Sequence, residues 1–599
     1  MDSKTFYGKK GNDQAVRAIP SDSEDSELDG SESEDSEGQD SQEEWIPESG
    51  EGMSIENDTE SVNEEEDEDV AEVANPGPPR WKTVHNPSCN PYPEWQGVSR
   101  SDEILSLLQY FQQFFSEDIL ESIVQQSNLY AMQNNPNKPL NLTTKELEQF
   151  LGTVVYMSLF GLPRTRMFWN KACRVSQVAD TMTLNRWEAI KKYLHFSNNE
   201  DRQEEGNDPL HKIRPLVTHL ISKLKSIPMR EKLAVDEQMV PFKGRSRLKQ
   251  YLPSKPKKWG YKILVLAGSD GVPHNFEMYT GRAVHPPELA DIGASGNVVL
   301  RLAQPIPKQE NYKLFFDNWF TSVPLVLTLA QQGIHTIGTV RCNRLPGVNL
   351  KCDAELKKKG RGSFEEKMAI VGETTLHVVK WYDNRTVSLL SDYAGAYPVN
   401  EVERWDRKQK LIMNVPRPAV VKEYNKNMGG VDLLDSLIAL YRIKIRSKKW
   451  YHRLVFHFMD MIIVTAWLLY RRDCEGTGMT RKEEMRLYTF KSYIAEGLQK
   501  SGKSLERKRG RPSLTIAGEY EEKRRKGPDT PIPIPAVRLD ATAHWMVMDE
   551  KKGRCKVPGC TGTPKAKCRK CDVHLCFTST SNCFLRFHTT LRVLDIPSK

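Results

Sequence analysis

The chain has 599 residues, and its 86 Lys and Arg residues nearly balance 79 Asp and Glu residues. This balance hides an asymmetry, because residues 21–74 hold 24 acidic residues and no Lys or Arg, which leaves 86 basic against 55 acidic residues elsewhere. A net charge of +31 on that remainder indicates a polyanionic partner rather than a small-molecule substrate. The composition excludes a collagen-like, a fully disordered or a membrane-spanning protein.

The distribution of apolar residues and cysteines predicts an intracellular, soluble protein. The start, MDSKTFYGKK, lacks the apolar core of a secretory signal. The most apolar stretch, Met459–Tyr470, is too short to cross a bilayer and contains Asp460. Of the 11 cysteines, six lie between Cys555 and Cys583, and the others are scattered singly, as is typical of reduced thiols.

Residues 1–95 are predicted to form a disordered acidic arm. The segment from Ser21 to Glu44 has acid-flanked serines and almost nothing to bury. The arm is either a solubilising tail or an element that competes with nucleic acid for the basic part of the chain.

The apolar spacing predicts helices and then strands. Residues 104–227 repeat apolar residues every three or four positions, and Thr143 and Thr144 precede one such run as an expected N-terminal cap. From residue 232 the pattern changes to short β-branched and aromatic runs: LAVDEQMV, YKILVLAG, FEMYTG, KLFFDNWF and HTIGTV, with a helix expected at 323–332. This order indicates a mixed α/β sheet.

The C-terminal half continues with a second β-rich stretch at 341–418, where HVVKWYD and TVSLLS meet at an Asp383-Asn384 turn. Helical periodicity returns from 430 to 498. A basic linker follows at 501–543, with KRGRP and KRRK as nuclear-import signals and KRGRP also resembling a minor-groove arm. The linker motifs predict a nuclear protein.

Two acids interrupt apolar strands, and a third acidic element follows the β-rich stretch. Asp236 lies in LAVDEQMV and Asp317 in KLFFDNWF, where a carboxylate is costly to bury without a compensating cation. Asp432 and Asp435 follow a Gly pair and share one face of a predicted helix. Alone, each strand acid is more simply a salt-bridged carboxylate, but together the four predict an oxygen-ligand site for Mg²⁺ or Mn²⁺ and for phosphodiester cleavage and strand transfer.

The segments VDEQMVPFKGRSRLKQYLPSKPKKWGYK, FFDNWFTS and YNKNMGGVDLLDS closely resemble the piggyBac family of DNA transposases and the cellular proteins derived from them. The resemblance extends from about residue 98 to the end. It implies a ribonuclease H-like catalytic core with Asp236, Asp317 and Asp432 as essential acids and Asp435 as a supporting ligand. It also implies Mg²⁺-dependent cut-and-paste transposition through hairpinned ends, insertion at TTAA, and a homodimer acting on double-stranded DNA.

With this resemblance, the expected fold is an α/β ribonuclease H-like core with a β-rich insertion, an all-α dimerisation and DNA-binding domain, and a small C-terminal zinc module. The expected helical domain spans 98–231 and 441–500. The core spans 232–340 and 419–440, the insertion 341–418, and the zinc module 544–599.

Two basic segments are predicted to contact DNA phosphates, with Tyr251 and Trp259 available for stacking on bases. The first lies between the first two strands and contains Lys243, Arg245, Arg247, Lys249, Lys255, Lys257 and Lys258, with Lys262 at its end. The second follows Asp435 and contains Arg446, Lys448 and Lys449 beside Trp450. Trp450 either lies near the active site, as a Trp does in the family, or packs in the core.

The C-terminus contains enough Cys and His for two tetrahedral zinc sites. The expected ligands are Cys555, Cys560, Cys568, Cys571, His574, Cys576, Cys583 and His588, with His544 as the alternative to His574. Their successive pairs predict interleaved sites, and metal binding would supply the folding energy of so short a segment. The module could bind DNA, as in the family, or a protein, and a ubiquitin-ligase role has only the cysteines to support it.

Two functions are compatible with these patterns. One is a DNA transposase, since all four acid positions hold Asp. The other is a domesticated, nuclear DNA-binding or chromatin protein that keeps the fold without transposing. No membrane partner or small-molecule substrate is expected.

Overall fold

The computed structural model describes residues 79–84, 92–97, 104–200, 208–253, 258–281, 285–406, 409–502, 532–533 and 535–590. All of these lie within one unit, residues 71–599. The acidic segment 21–74, the motifs KRGRP and KRRK, and the predicted DNA contacts Lys255 and Lys257 lie outside the described residues.

Two short segments that composition assigned to the arm contact the folded body. Lys82–Thr83 (β1) pairs antiparallel with residues 367–368. The carbonyl of Glu94 accepts a hydrogen bond of 2.9 Å from Asn311, and the ring of Trp95 meets Tyr312 edge-on at a centroid distance of 5.8 Å. Residues 79–84 and 92–97 therefore belong to the folded unit, which corrects the predicted arm boundary at residue 95.

Helices follow β1, as the apolar spacing predicted. They are α1 (Leu107–Gln112), α2 (Glu117–Asn134), α3 (Thr144–Met157), α4 (Ser176–Ala179), α5 (Leu184–Tyr193) and α6 (Arg214–Lys225). The expected cap of α3 is confirmed, because Thr143 Oγ1 accepts a hydrogen bond from the Glu146 amide at 3.3 Å. The apolar faces of these helices, including Phe150 and Trp187, share one core with helices from the C-terminal half.

The central sheet begins at residue 232 and matches the predicted strands closely. Its first elements are β2 (Lys232–Pro241), β3 (Gln250–Tyr251), β4 (Trp259–Gly268), β5 (Pro273–Met278), α7 (Ala294–Ala303), β6 (Tyr312–Phe316), α8 (Val323–Gln331) and β7 (Ile334–Thr339). Strands β2, β4 and β5 are antiparallel neighbours, whereas β6 runs parallel to β2 and β7 parallel to β6. The order across the sheet is β5–β4–β2–β6–β7.

Strand alternation divides β2 between two helix layers. Leu233 and Val235 pack with α7 and α8 on one face, whereas Ala234 packs with residues 420–421 on the other. The sheet is therefore covered on both faces, which explains its near-continuous apolar strands.

The β-rich insertion continues this sheet. It contains α9 (Asp353–Lys359), β8 (Phe364–Val371), β9 (Thr374–Tyr382), β10 (Thr386–Ser391), β11 (Asn400–Asp406) and β12 (Leu411–Arg417). The Asp383-Asn384 turn joins β9 to β10 as predicted, and β10 pairs antiparallel with β7. Strands β11 and β12 form a separate ribbon.

The next elements are α10 (Ala419–Asn427), α11 (Gly430–Leu440), α12 (Trp450–Gly476) and α13 (Leu487–Gln499). Helix α12 has 27 residues, so the apolar run Met459–Tyr470 belongs to a longer helix that could span a membrane by length and composition alone. It is nevertheless a core helix, because 89% of its most apolar window is buried inside the protein. Within the core, Asp460 pairs with Lys491 of α13 at 2.6 Å.

The C-terminal module is built from very short elements. They are α14 (Pro535–Arg538), β13 (Met546–Met548), β14 (Ala566–Cys568), β15 (Val573–His574), β16 (Phe577–Thr578), β17 (Ser581–Asn582) and α15 (Cys583–Thr589). Helix α14 packs against α13. The module's buried cluster consists largely of its cysteines, with Val557, Val573, Leu575 and Phe587.

Candidate functional site: a carboxylate site on the sheet and a Cys/His module

The first two predicted acids lie next to each other at the point where the parallel pairing of β2 with β6 ends. Val235 of β2 pairs with Phe316 of β6, so the next residues along each strand are Asp236 and Asp317. Strand β6 ends at Phe316, so Asp317 follows the strand rather than lying inside it. Its carboxylate accepts a hydrogen bond of 2.9 Å from the Trp319 amide, and burial raises its pKa.

Helix α11 brings the other two acids to the same sheet. Asp432 lies in its first turn, and Asp435 lies one turn later. A Cβ on Gly430 would lie 2.3 Å from the carbonyl oxygen of Gly268, at the end of β4, so the backbones of the helix and the strand approach each other closely here. Asp432 is exposed and Asp435 is half-buried, which leaves the face between helix and sheet open on the Asp432 side.

Tyr424 of α10 marks the point where the acids converge. The charges of Asp317, Asp236 and Asp432 all raise the pKa of its hydroxyl, although burial raises it most, and the hydroxyl bonds to Thr339 at the end of β7. Within the described part of the chain, no three of the carboxylates lie as close as 4.8 Å to one another. The acids are therefore neighbours that do not form a tight cluster, and their oxygen ligands are of the kind that suits Mg²⁺ or Mn²⁺.

A buried hydrogen-bond relay orients Asp435, and the sequence patterns did not reveal it. The side-chain amide of Gln238 in β2 donates to Asp435 Oδ1 at 2.6 Å. The Gln238 oxygen lies 2.7 Å from His457 Nε2 of α12, and burial holds the pKa of His457 well below its ordinary value. The neutral imidazole therefore donates to Gln238, which fixes the amide so that its NH₂ group faces the carboxylate.

The first basic segment lies at the surface as predicted. Lys243, Arg245, Arg247 and Lys258 are exposed, and Lys249 is half-buried with its ammonium 4.8 Å from the centroid of the Trp259 ring. Tyr251 and Trp259 are about half exposed, at 48% and 50%, and their rings lie 4.7 Å apart. An exposed aromatic pair among cations is available to a flat ligand.

The second basic segment lies beside the first, because the Trp450 ring is 6.2 Å from Tyr261 of β4. Trp450 is only partly buried and packs against the helical core. Arg446 and Lys448 are exposed, and the Lys449 ammonium donates to the carbonyl of Lys192 at 2.6 Å. Arg446, Lys448 and Lys449 line an open groove of about 550 Å³ together with Lys191 and Lys192 of α5, which sequence analysis did not select.

The Cys/His module brings eight ligand residues into two sets. One contains His544, Cys568, Cys571 and His588, and the other contains Cys555, Cys560, Cys576 and Cys583, with the ligand atoms of each set within 4.8 Å of one another. In the second set Cys560 Sγ lies 3.7 Å from both Cys576 Sγ and Cys583 Sγ. A tetrahedral zinc site with Zn–S of about 2.3 Å has S–S edges of about 3.8 Å, so this set fits a zinc ion.

His574 is outside both sets, which corrects its assignment as a ligand. It lies on β15, with its Nε2 3.4 Å from Asp549, whereas His544 Nδ1 lies 3.5 Å from both Cys568 and Cys571. The alternative residue His544 is therefore the member of the set. A hydrogen bond from Cys571, with others from the two histidines, holds the pKa of Cys568 well below its ordinary value and favours the thiolate that metals bind.

Comparisons with known proteins agree with this architecture. The family model described as Transposase IS4 matches residues 107–467. Human PiggyBac transposable element-derived protein 2 is 32% identical over 457 residues, which cover 75% of this chain and 72% of that protein. Human PiggyBac transposable element-derived protein 3 is 31% identical over 482 residues, which cover 80% of this chain and 75% of that protein.

A solved structure shares the fold. The cryo-EM structure of the piggyBac transposase synaptic complex with hairpin DNA matches with a TM-score of 0.58 at 19% identity. The match covers 81% of this chain and 99% of that one. A mixed β-sheet core with surrounding helices is therefore common to both.

Proposed function

Because this chain belongs to the piggyBac family of transposases, we propose that it is a metal-dependent DNA transposase that cleaves and joins phosphodiester bonds. The observation that carries the proposal is that Asp236 and Asp317 follow paired residues of adjacent strands, while α11, which carries Asp432 and Asp435, packs against β2. Strand, strand end and helix each contribute a carboxylate to one space, and few other arrangements explain so much negative charge in one place.

We further infer that the core is ribonuclease H-like. Three antiparallel strands followed by two parallel ones, in the order β5–β4–β2–β6–β7, support this assignment. So does the position of the first acid on the central strand and of the second at the end of its parallel neighbour. The catalytic core would then comprise 232–340 and 419–440, with 98–231 and 441–500 as the helical DNA-binding domain.

The four acids have two roles in the proposed site. Asp236, Asp317 and Asp432 would hold divalent ions, and Asp435 would support them from an orientation fixed by Gln238. Bound Mg²⁺ or Mn²⁺ supplies activation of the attacking oxygen and charge stabilisation at the leaving oxygen. The chain's own contribution is to hold four carboxylates on rigid elements so that little reorganisation is needed.

Double-stranded DNA is the proposed substrate, with TTAA as the insertion target. The two basic segments, the aromatic pair and the net charge of the body support phosphate contacts along the face beside the acids. A homodimer that acts in the nucleus is part of the same proposal. The Cys/His module would bind two Zn²⁺ ions and add a further DNA contact.

The test is Mn²⁺- or Mg²⁺-dependent nicking of supercoiled plasmid DNA that carries cognate terminal inverted repeats bounded by TTAA. We expect Asp317→Asn to reduce nicking by about a thousandfold or more while DNA binding is retained, because the metals act on the transition state. Asp353→Asn is the control, since Asp353 is an exposed acid of α9 whose partner is Lys380.

Equal nicking by Asp317→Asn and the unchanged chain would overturn the assignment of the site. If the unchanged chain binds DNA but never nicks it, the domesticated DNA-binding protein is the correct reading instead.

A further inference from the structure

Lys262 of β4 carries an ammonium group that is seated on two aromatic rings beside the acid site. Its Nζ lies 4.6 Å from the centroid of the Trp319 ring and 5.8 Å from that of Tyr279. Aromatic faces attract a cation and restrict its position without neutralising it. The side chain is half-buried, so the rings hold a charge where solvent only partly screens it.

One of the two aromatic rings beside the Lys262 ammonium belongs to a residue that contacts Asp317. Trp319 belongs to the turn after β6, and its amide donates to the Asp317 carboxylate at 2.9 Å. The pKa of Asp317 is raised by burial and by Glu237, and Lys262 opposes that rise. The ammonium therefore lies close enough to the carboxylate for their charges to interact, although the two do not form an ion pair.

No described carboxylate forms an ion pair with Lys262. This distinguishes it from Lys232, which pairs with Glu423, and from Lys313, which pairs with Glu231. A half-buried cation that has aromatic neighbours and no carboxylate partner is suited to an anion supplied from outside.

We propose that Lys262 binds a non-bridging oxygen of the phosphodiester that occupies the acid site. This inference rests on the proposed transposase function, and it assigns to the reacting phosphate a lysine that the sequence pattern placed only among general DNA contacts. One phosphate would then be held by the acid-bound divalent ions on one side and by the Lys262 ammonium on the other. This positions the phosphate for attack.

Two measurements test the proposal on the full-length protein. The first is binding of a 30-bp TTAA-containing duplex by fluorescence anisotropy, with Ca²⁺ or with EDTA, so that affinity is read without cleavage. Ca²⁺ accepts the same oxygen ligands as Mg²⁺. Lys262→Met should reduce the Ca²⁺-dependent gain in affinity by about tenfold and change binding in EDTA little, since lysine and metal act on the same phosphate.

Lys262→Arg should recover most of the gain, because it keeps the charge and the aromatic seat. Lys249→Met is the matched comparison, since Lys249 also lies over a Trp ring, at 4.8 Å, but that ring belongs to Trp259, beyond the part of β4 that pairs with the strand of Asp236. We expect it to weaken binding to the same degree with Ca²⁺ and with EDTA.

The second measurement is single-turnover nicking at saturating DNA, in which Lys262→Met should lower the rate constant by about tenfold. If the unchanged chain does not nick, the proposed function fails, but the Ca²⁺-dependent binding still decides the role of Lys262. The proposal is overturned if the gain is equal in Lys262→Met and the unchanged chain, or if neither shows any gain.

Discussion

The carboxylate site on the sheet and the Cys/His module differ in what surrounds their functional groups. The sheet acids lie against three apolar clusters that draw on dozens of residues, from Leu107 in α1 to Ala536 in α14. In the module, the buried cluster consists mainly of the cysteines themselves. The sheet is therefore expected to fold without bound metal. In the module, by contrast, the metal-binding cysteines themselves form the core.

The largest expected effect follows from removing two module ligands. Cys568→Ser with Cys571→Ser should cost on the order of 10 kcal/mol of local stability, because metal binding is the module's main source of folding energy. Hydrogen exchange should then show loss of protection across 544–590 and unchanged protection in β2, β4 and β6. The control is Cys342→Ser with Cys352→Ser, two exposed cysteines outside the module. Retained protection in the module would contradict this account.

The helical core should lose less when one partner of a buried pair is removed. Lys491 and Asp460 are 4% and 2% exposed, and Lys491 also donates to the Tyr441 carbonyl at 2.6 Å. Lys491→Met leaves a buried carboxylate without its cation and should reduce the free energy of unfolding by about 3–5 kcal/mol.

Chemical denaturation measures this loss. The double variant with Asp460→Leu should recover much of it, since an apolar pair of similar volume replaces a buried ion pair at little cost. Failure of the double variant to recover would show that the Asp460 bond to the Ile443 amide, at 2.8 Å, is the more important contact.

A smaller effect is expected from buried imidazoles in the core. Burial lowers the pKa values of His274 and His452 to about 3. The pKa of an unfolded His is about 6.5, so between these values the unfolded state binds more protons than the folded state. The free energy of unfolding should therefore fall as pH decreases below about 6.5, by up to about 1.4 kcal/mol per pH unit for each His.

Denaturant midpoints across pH 5–7.5 would measure this slope. His452→Phe removes one titrating group, so its slope should be shallower than that of the unchanged chain. An equal slope would mean that protonation of His452 does not oppose folding.

The smallest expected effect comes from a substitution at the acid site itself. This substitution should increase the free energy of unfolding, whereas those above decrease it. Burial raises the pKa of Asp317, so its charged form opposes folding when no metal is bound. Asp317→Asn should therefore increase the free energy of unfolding by about 1 kcal/mol or less in EDTA, as active-site substitutions often do. Denaturation beside Asp353→Asn would check it, and a loss above about 2 kcal/mol would mean that Asp317 holds the fold.

Local patterns predicted most of the secondary structure and the elements that carry the acids. The apolar run around Asp236, the Asp383-Asn384 turn and the helical spacing of Asp432 and Asp435 are all properties of short segments, and the structure agrees with them. Such patterns report which face of an element is buried, but they do not say what covers it.

The contacts that were not predicted all join distant residues. Gln238, Asp435 and His457 come from three elements, and Tyr424 reaches the acids from a fourth. The choice of His544 over His574 likewise depends on how β13 and β15 flank β14, which residue spacing alone does not determine.

The order of the ligands along the module determines how it can be divided. His544 and His588 are the first and last ligands of the set that also contains Cys568 and Cys571. The four cysteines of the other set lie between these two histidines in two pairs. A break between Cys571 and Cys576 would separate the ligands of both sets at once. No fragment cut there can retain one complete site, and both sites can be transferred to another protein together only with the whole segment 544–588.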